Sequence, residues 1–364
     1  MSSRARACGR TRDRLSGRAA CVCLSLTGTL FTACAGAQSA LDPAGPQAER
    51  ISKIWWLFFY VSVAVLALVT LFMLMAVARG RRNRKAAGTD EPEVEGKSTE
   101  RPDPRLERSM TRTVAVATIV TTIILIVLTV ASFSIGRSLT AKMSNEDAVT
   151  IQMTGQQWWW EVRYEDADPS KSFVTANELH VPVGQPVTVK LRASDVIHSF
   201  WVPNLVGKKD MIPGHEAVIW FQANKPGLFR GQCAEYCGLQ HAHMAFWVVA
   251  EEPAKYQQWL ATQRAGAATP DSESKQRGQQ VFLGSTCIMC HTIQGTQAGS
   301  NVGPNLTHVG SRQTIAAGTL PNTRGHLSGW ITDPQGIKPG TRMPANSLKP
   351  EDLQALLDYL QSLK

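Results

Sequence analysis

The sequence predicts a multidomain membrane chain: a two-helix transmembrane hairpin, an all-β domain and a compact C-terminal module. Three observations predict it. First, Ile54 to Ala78 and Val114 to Ile135 are uncharged runs of 25 and 22 residues, where about 20 apolar residues suffice to cross a bilayer as a helix. Second, short alternating stretches broken by Gly and Pro fill residues 149–252, the pattern of strands. Third, a small-residue and polar stretch separates that region from residues 275–364.

The N-terminus carries a basic stretch, then an apolar run from Ala19 to Ala33 that ends in Phe31-Thr32-Ala33-Cys34. A basic start, an apolar middle and small residues near a cut describe a secretory signal, here residues 1–33. The placement of Cys34 resembles a bacterial lipoprotein signal, which makes it a lipidation candidate. Cys8, Cys21 and Cys23 fall inside the signal and have no expected role in the mature chain.

Arg79, Arg81, Arg82, Arg84 and Lys85 follow the first span, and Arg101, Arg105, Arg108 and Arg112 precede the second. Positive charge beside short loops stays in the cytoplasm. That orientation makes 79–113 the cytoplasmic loop and puts the C-terminal domains outside, a multi-pass protein of the bacterial cell membrane. The net charge of +9 is mostly this and the signal, since residues 113–364 net only +1. Nucleic-acid binding needs a basic face on a folded domain, and none is present in the pattern.

Val149-Thr150-Ile151-Gln152-Met153 and Val187-Thr188-Val189-Lys190-Leu191 alternate in the manner of antiparallel strands of a sandwich or barrel. Late in this region comes Cys233-Ala234-Glu235-Tyr236-Cys237-Gly238-Leu239-Gln240-His241-Ala242-His243-Met244, with His198 upstream in Asp195-Val196-Ile197-His198-Ser199-Phe200. Thiolate and thioether are soft ligands and imidazole is borderline, a set suited to copper. A Cys233–Cys237 disulfide and the paired thiols of a copper carrier are the competing readings. His180, His215, His243, His308 and His326 read as surface histidines without a role.

The motif C-x-E-x-C-x-x-x-H-x-x-M with D-V-I-H-S-F resembles the second subunit of haem–copper cytochrome c oxidases. That resemblance implies a cupredoxin-like Greek-key domain over 149–252 holding the dinuclear copper centre CuA. Cys233 and Cys237 would bridge both coppers, His198 and His241 would each bind one, and Met244 with the Glu235 carbonyl would be weak axial ligands. The Glu235 side chain would reach a magnesium at the contact with the catalytic subunit. Gln157-Trp158-Trp159-Trp160 matches the family's Q-W-Y-W except at Trp159, and implies Trp158 as the port through which electrons reach CuA. Glu107, just before the second span, sits where the family has a glutamate at the mouth of a proton path.

Residues 253–274 read as a linker, including a short amphipathic stretch from Tyr256 to Gln263 and then Ala265-Gly266-Ala267-Ala268-Thr269-Pro270. Beyond it, Cys287-Ile288-Met289-Cys290-His291 is a C-x-x-C-H run, the attachment motif of c-type haem. With Gly303-Pro304-Asn305-Leu306, Lys338-Pro339-Gly340-Thr341-Arg342-Met343-Pro344 and a closing helix from Pro350 to Leu363, residues 275–364 resemble a small all-α class I cytochrome c. The resemblance implies thioether bonds from Cys287 and Cys290, and His291 and Met343 as the axial iron ligands. It also implies that the Pro304 carbonyl orients His291.

Together these features resemble a caa3-type subunit II with a fused cytochrome c. Electrons would pass from haem c to CuA and on to a separate subunit I that reduces oxygen to water and pumps protons. The implied partners are that subunit, other oxidase subunits, the membrane, and a donor such as a cytochrome c or a quinol–cytochrome c reductase. The alternatives are a CuA-containing nitric oxide reductase subunit and a copper carrier or assembly factor. Residues 137–252 net −3 and residues 275–364 net +4, so the two modules are expected to attract each other in a salt-sensitive way.

Overall fold

The computed structural model describes residues 36–87, 104–140 and 148–364. The expected signal, Cys34 and residues 88–103 of the expected cytoplasmic loop lie outside the described residues. The chain forms two compact units, Arg50–Lys142 and the remainder.

The first unit is a helical hairpin. Helix α1 covers Pro46–Ala87 and α2 covers Pro104–Thr140. Both contain one expected span and run past it into charged flanks. The apolar side chains of these helices are exposed, with none of the most hydrophobic stretch of either helix buried in protein. Such a surface is stable only against lipid or another protein. Arg50 of α1 donates to the Ser138 carbonyl of α2 at 2.9 Å, which joins the two outer ends. Glu107 lies exposed in the first turn of α2.

The β-domain is a sandwich. Strands β1 (Val149–Gln156), β2 (Trp159–Glu165), β3 (Phe173–Ala176), β5 (Val187–Ala193) and β8 (Ala217–Phe221) form one sheet in the order β3-β2-β1-β5-β8. Strands β4 (Glu178–Pro182), β9 (Gly227–Gln232) and β10 (Ala245–Glu251) form another in the order β4-β10-β9, and β6 (His198–Val202) pairs with β7 (Val206–Met211). Alternation aims Ile151, Met153, Val187, Val189 and Leu191 inward, as a period of two requires. Trp160, Phe200, Phe221 and Phe246 fill the space between the sheets with no exposure, each such burial being worth about 2–3 kcal/mol.

One expectation is corrected here. The two stretches read as antiparallel strands lie side by side in parallel, with Val149 opposite Val187 and Gly155 opposite Ala193. Parallel neighbours need a crossover, and β3 and β4 supply it on the way to β5. Alternation reports which face a residue takes and carries no information on strand direction.

A strap precedes α1. The Ala44 N–H donates to the Asn204 carbonyl and the Asn224 N–H to the Ala44 carbonyl, both at 2.7 Å. Asn204 donates its side-chain amide to the Gly36 and Asp42 carbonyls, and Ala44 and Ala48 are buried.

The region expected as a linker is also ordered. Helix α3 (Pro253–Arg264) lays Trp259 on the sheet, stacked against His180 at 4.2 Å and beside Tyr164 at 5.2 Å. The chain after it is pinned by the Ala267 N–H on the Gln294 carbonyl and by His308, whose Nε2 lies 3.1 Å from the Ala265 carbonyl. Its small residues stay largely exposed, with only Ala267 half-buried.

The C-terminal module is helical: α4 (Glu273–Leu283), α5 (Arg324–Thr332), α6 (Pro334–Ile337) and α7 (Pro350–Ser362). Helices α4 and α7 cross at Gly278, where a Cβ would stand 2.0 Å from the Ala355 carbonyl oxygen. Phe282, Leu356, Tyr359 and Leu360 pack around that crossing.

Candidate metal centres

The twelve-residue loop from Cys233 to Met244 joins β9 to β10, which are antiparallel neighbours with Gln232 opposite Ala245. The loop is closed at its base by the Cys233 N–H on the Met244 carbonyl at 3.0 Å. The Ala234 N–H donates to the Ser199 carbonyl at 3.1 Å, which brings in β6 and with it His198.

Every expected ligand atom then meets a cysteine sulfur. The two Sγ atoms are 3.8 Å apart. His198 Nδ1 is 3.8 Å and the Glu235 carbonyl 3.2 Å from Cys233 Sγ, while His241 Nδ1 is 3.6 Å and Met244 Sδ 3.8 Å from Cys237 Sγ. A disulfide needs about 2.05 Å between sulfurs, and both cysteines are free. Two sulfurs on one tetrahedral ion at about 2.3 Å stand roughly 3.8 Å apart, and sulfur to imidazole nitrogen roughly 3.6 Å. His198, Cys233, Cys237 and Met244 are buried and His241 is half-buried, so the spacing and burial of this donor set fit a metal.

Protons at the site follow the same geometry. The Cys237 thiol donates toward Cys233 and, against the cost of burial, lowers the first thiol with help from His198. The thiolate so formed, together with burial, pushes Cys237 well up. One thiol ionises readily and the second yields its proton only to a strong positive charge, which a metal supplies.

Asp195 was not singled out by sequence reasoning. His198 Nε2–H donates to its Oδ1 at 2.9 Å, which fixes the tautomer and leaves Nδ1 facing Cys233. Burial opposes the Asp195 charge, yet His198 and the N–H groups of Gln157 and Val196 hold its carboxyl below the usual range. Carboxylate–histidine pairs of this kind orient metal ligands.

Of the three tryptophans, Trp160 enters the core, and Trp158 and Trp159 are half-buried. The Trp158 indole N–H donates to the Cys237 carbonyl at 2.9 Å, and the Gln157 amide to the same oxygen at 2.8 Å.

In the helical module, Cys287 and Cys290 are free and half-exposed at a short 3₁₀ turn. The His291 N–H closes that turn on the Cys287 carbonyl at 3.0 Å, and His291 Nδ1 donates to the Pro304 carbonyl at 2.7 Å. Burial holds His291 below its ordinary value, with the Pro304 carbonyl opposing and Arg312 adding to the effect. A neutral ring with Nδ1–H engaged presents Nε2 as a free donor, the form an iron ligand takes. Two free thiols on the adjacent turn fit the thioether attachment of haem. Met343 lies against the helical core, on a loop clamped by the Gln335 amide to the Thr341 and Met343 carbonyls.

Among the described residues the other histidines join no metal-ligating cluster, but two of them are not surface residues. His308 is buried, with Nδ1 3.0 Å from the Lys364 carbonyl. His180 Nδ1 lies 3.0 Å from Glu251. His215, His243 and His326 are exposed.

Comparison with known proteins decides the lineage. Residues 167–251 match the family described as cytochrome c oxidase subunit II, periplasmic domain, and residues 275–364 match the cytochrome c family. Cytochrome c oxidase subunit 2 of Alkalihalophilus pseudofirmus is 36% identical over 350 residues, covering 92% of this chain and 94% of that protein. The chain belongs to the cytochrome c oxidase subunit II family. The subunit 2 of Bacillus subtilis is 30% identical over 90% of this chain and 92% of its own length. The solved periplasmic domain of subunit II from Bradyrhizobium japonicum is 34% identical, covers 34% of this chain and 97% of its own, and has a TM-score of 0.31.

As a subunit II with an attached cytochrome c domain, the chain is the electron-input part of a haem–copper oxidoreductase, and the oxygen-reducing site is on another chain. Its subunit II domain implies CuA and its cytochrome domain implies haem c. It is a membrane protein with periplasmic domains, assembled with other oxidase subunits. The nitric oxide reductase and copper-carrier readings are not favoured.

Proposed function

We propose that Cys233 and Cys237 bridge the two coppers of CuA, with His198 and His241 each on one copper and Met244 and the Glu235 carbonyl as weak ligands. We propose also that Cys287 and Cys290 attach haem c, with His291 and Met343 on its iron. When bound, each centre takes up and gives back one electron at a time. One observation carries the copper assignment: two thiol sulfurs 3.8 Å apart, each flanked by one imidazole nitrogen and one weak donor.

The residues around these ligands have definite tasks. Asp195 holds the His198 proton on Nε2. Pro304 does the same for His291 on Nδ1. The sandwich fixes the ligand loop at its base, so the donor atoms keep their places when the charge at the site changes. Trp158, bonded to the Cys237 carbonyl, is the path by which electrons approach the copper loop. The finer reading of the membrane part is a two-span hairpin, α1 and α2, with the loop between them cytoplasmic. A magnesium on the half-buried Glu235 and a cytochrome c or quinol–cytochrome c reductase as the outside donor complete the reading.

The test is composition and spectrum of the purified, matured complex. The expected result is two coppers of this type and one covalent haem per chain, with near-infrared CuA absorption. Cys287→Ala with Cys290→Ala should abolish covalent haem and leave that absorption in place. A protein that carries haem but never more than one labile copper would overturn the copper assignment.

A further inference from the structure

The loop that carries Met343 is one of the segments that join the helical module to the copper domain, beside the Gln313 N–H on Glu178 and the Arg312 contact with Thr175. Lys338 is 2% exposed. Its ammonium donates to the Trp158 carbonyl at 2.7 Å, the His243 carbonyl at 2.7 Å and the Ala316 carbonyl at 3.1 Å. An ammonium has three donors and no acceptor, so every donor is used. Two of the three acceptors belong to the copper domain, and His243 directly precedes Met244. Burying an ammonium is costly unless its donors are all met, and this cradle meets them in one pose.

Neighbouring positions of the same loop repeat the contact. The Pro339 carbonyl accepts the Gln240 amide at 2.7 Å. Gly340 has φ +84°, and a Cβ there would stand 3.3 Å from Leu239 and 3.6 Å from the Trp158 ring. Arg342 reaches Asp195 at 3.8 Å. Nearby, the Ala245 N–H donates to the Ala317 carbonyl at 2.9 Å. The Lys338 and Ala245 contacts are buried, while Pro339, Gly340 and Arg342 lie at the exposed rim; all are local, unlike the long-range attraction that the module charges suggest.

We propose that Lys338 is a positioning residue for electron transfer within this chain: it bolts the Met343 loop onto Trp158, keeps the haem module docked over the copper loop, and closes the Trp158 face to outside donors. The proposal rests on the ligand assignment above. The step it serves moves one electron: the haem iron is oxidised, the copper pair is reduced, and no bond or proton changes hands.

The experiment uses the assembled, metal-loaded oxidase and its Lys338→Met variant. An electron is placed on the haem by a flash-activated small reductant, and its arrival at copper is followed in the near infrared. In the parent, transfer is expected to be insensitive to added salt and to sucrose viscosity. In the variant it should slow by about tenfold or more, as loss of fixed positioning does, and become viscosity-dependent. Deuterium exchange at the Ala245 N–H should accelerate, and soluble reduced cytochrome c should gain direct access to copper. Lys338→Met with both spectra intact and parental transfer and exchange would overturn the proposal. If that variant does not accumulate, the parent decides: a flat viscosity and salt profile supports the bolt, and a rate that falls with viscosity overturns it. Absence of the CuA absorption in the parent would instead count against the ligand assignment.

Discussion

The Trp158 indole and the Cys237 carbonyl are joined by a 2.9 Å hydrogen bond. A surface-side aromatic is thus fixed to the backbone of a candidate bridging ligand. Trp158→Phe keeps the ring area and removes the donor. It should cost about 1 kcal/mol of stability, as one lost hydrogen bond does, leave the CuA absorption near normal, and slow electron arrival at copper. A flash-transfer measurement with an unchanged rate would remove Trp158 from the path.

Asp195→Asn should weaken copper binding about 10–100-fold, the range for loss of a carboxylate that orients a ligating histidine. The amide can still accept one N–H but cannot hold the His198 proton as firmly. Competition titration against a copper chelator gives the number. Equal affinity in parent and variant would show that β6 alone orients the ring.

His180 predicts a pH dependence of stability. Burial lowers its proton affinity, but Glu178 and Glu251 outweigh that and raise it above the ordinary value. A raised folded value contributes stability that is fully present below the unfolded value of about 6.5 and is lost as pH rises through the folded one. Thermal unfolding of the parent between pH 5.5 and 8.5 should therefore show a decline toward the alkaline side that His180→Gln removes. Parallel profiles for the two proteins would assign the decline elsewhere.

Phe246→Ala should destabilise the β-domain by about 3–5 kcal/mol. The ring packs edge-on to Trp160 at 5.3 Å and face to face with Phe200 at 5.2 Å. It stands two residues after Met244, so the cavity opens under the ligand loop. Denaturant unfolding gives the loss, and the variant's copper spectrum should broaden.

Much of the proposed site was legible in the sequence. All but one of the proposed copper donors fall in twelve residues and the haem motif is contiguous, so side-chain chemistry pointed to two metal centres and the resemblance supplied the ligand roles. What joins them was not legible. Lys338 and Gln240 bond to backbone carbonyls, and a carbonyl has no signature in a sequence. The charge counts of the two modules pointed to attraction through solvent, whereas the contact depends on individual buried groups, Lys338 and Arg312 among them. Arg312 is buried against Thr175 and Asn305, a placement that no local pattern encodes. His308 looked unremarkable for the same reason, since its partners lie 43 and 56 residues away.

The strap from Gly36 to Ala48 is made before either hydrophobic helix, yet its hydrogen-bond partners Asn204 and Asn224 are made after both. Biogenesis therefore has a fixed order. The β-domain that this early segment completes is finished only once the strands beyond both helices have been made.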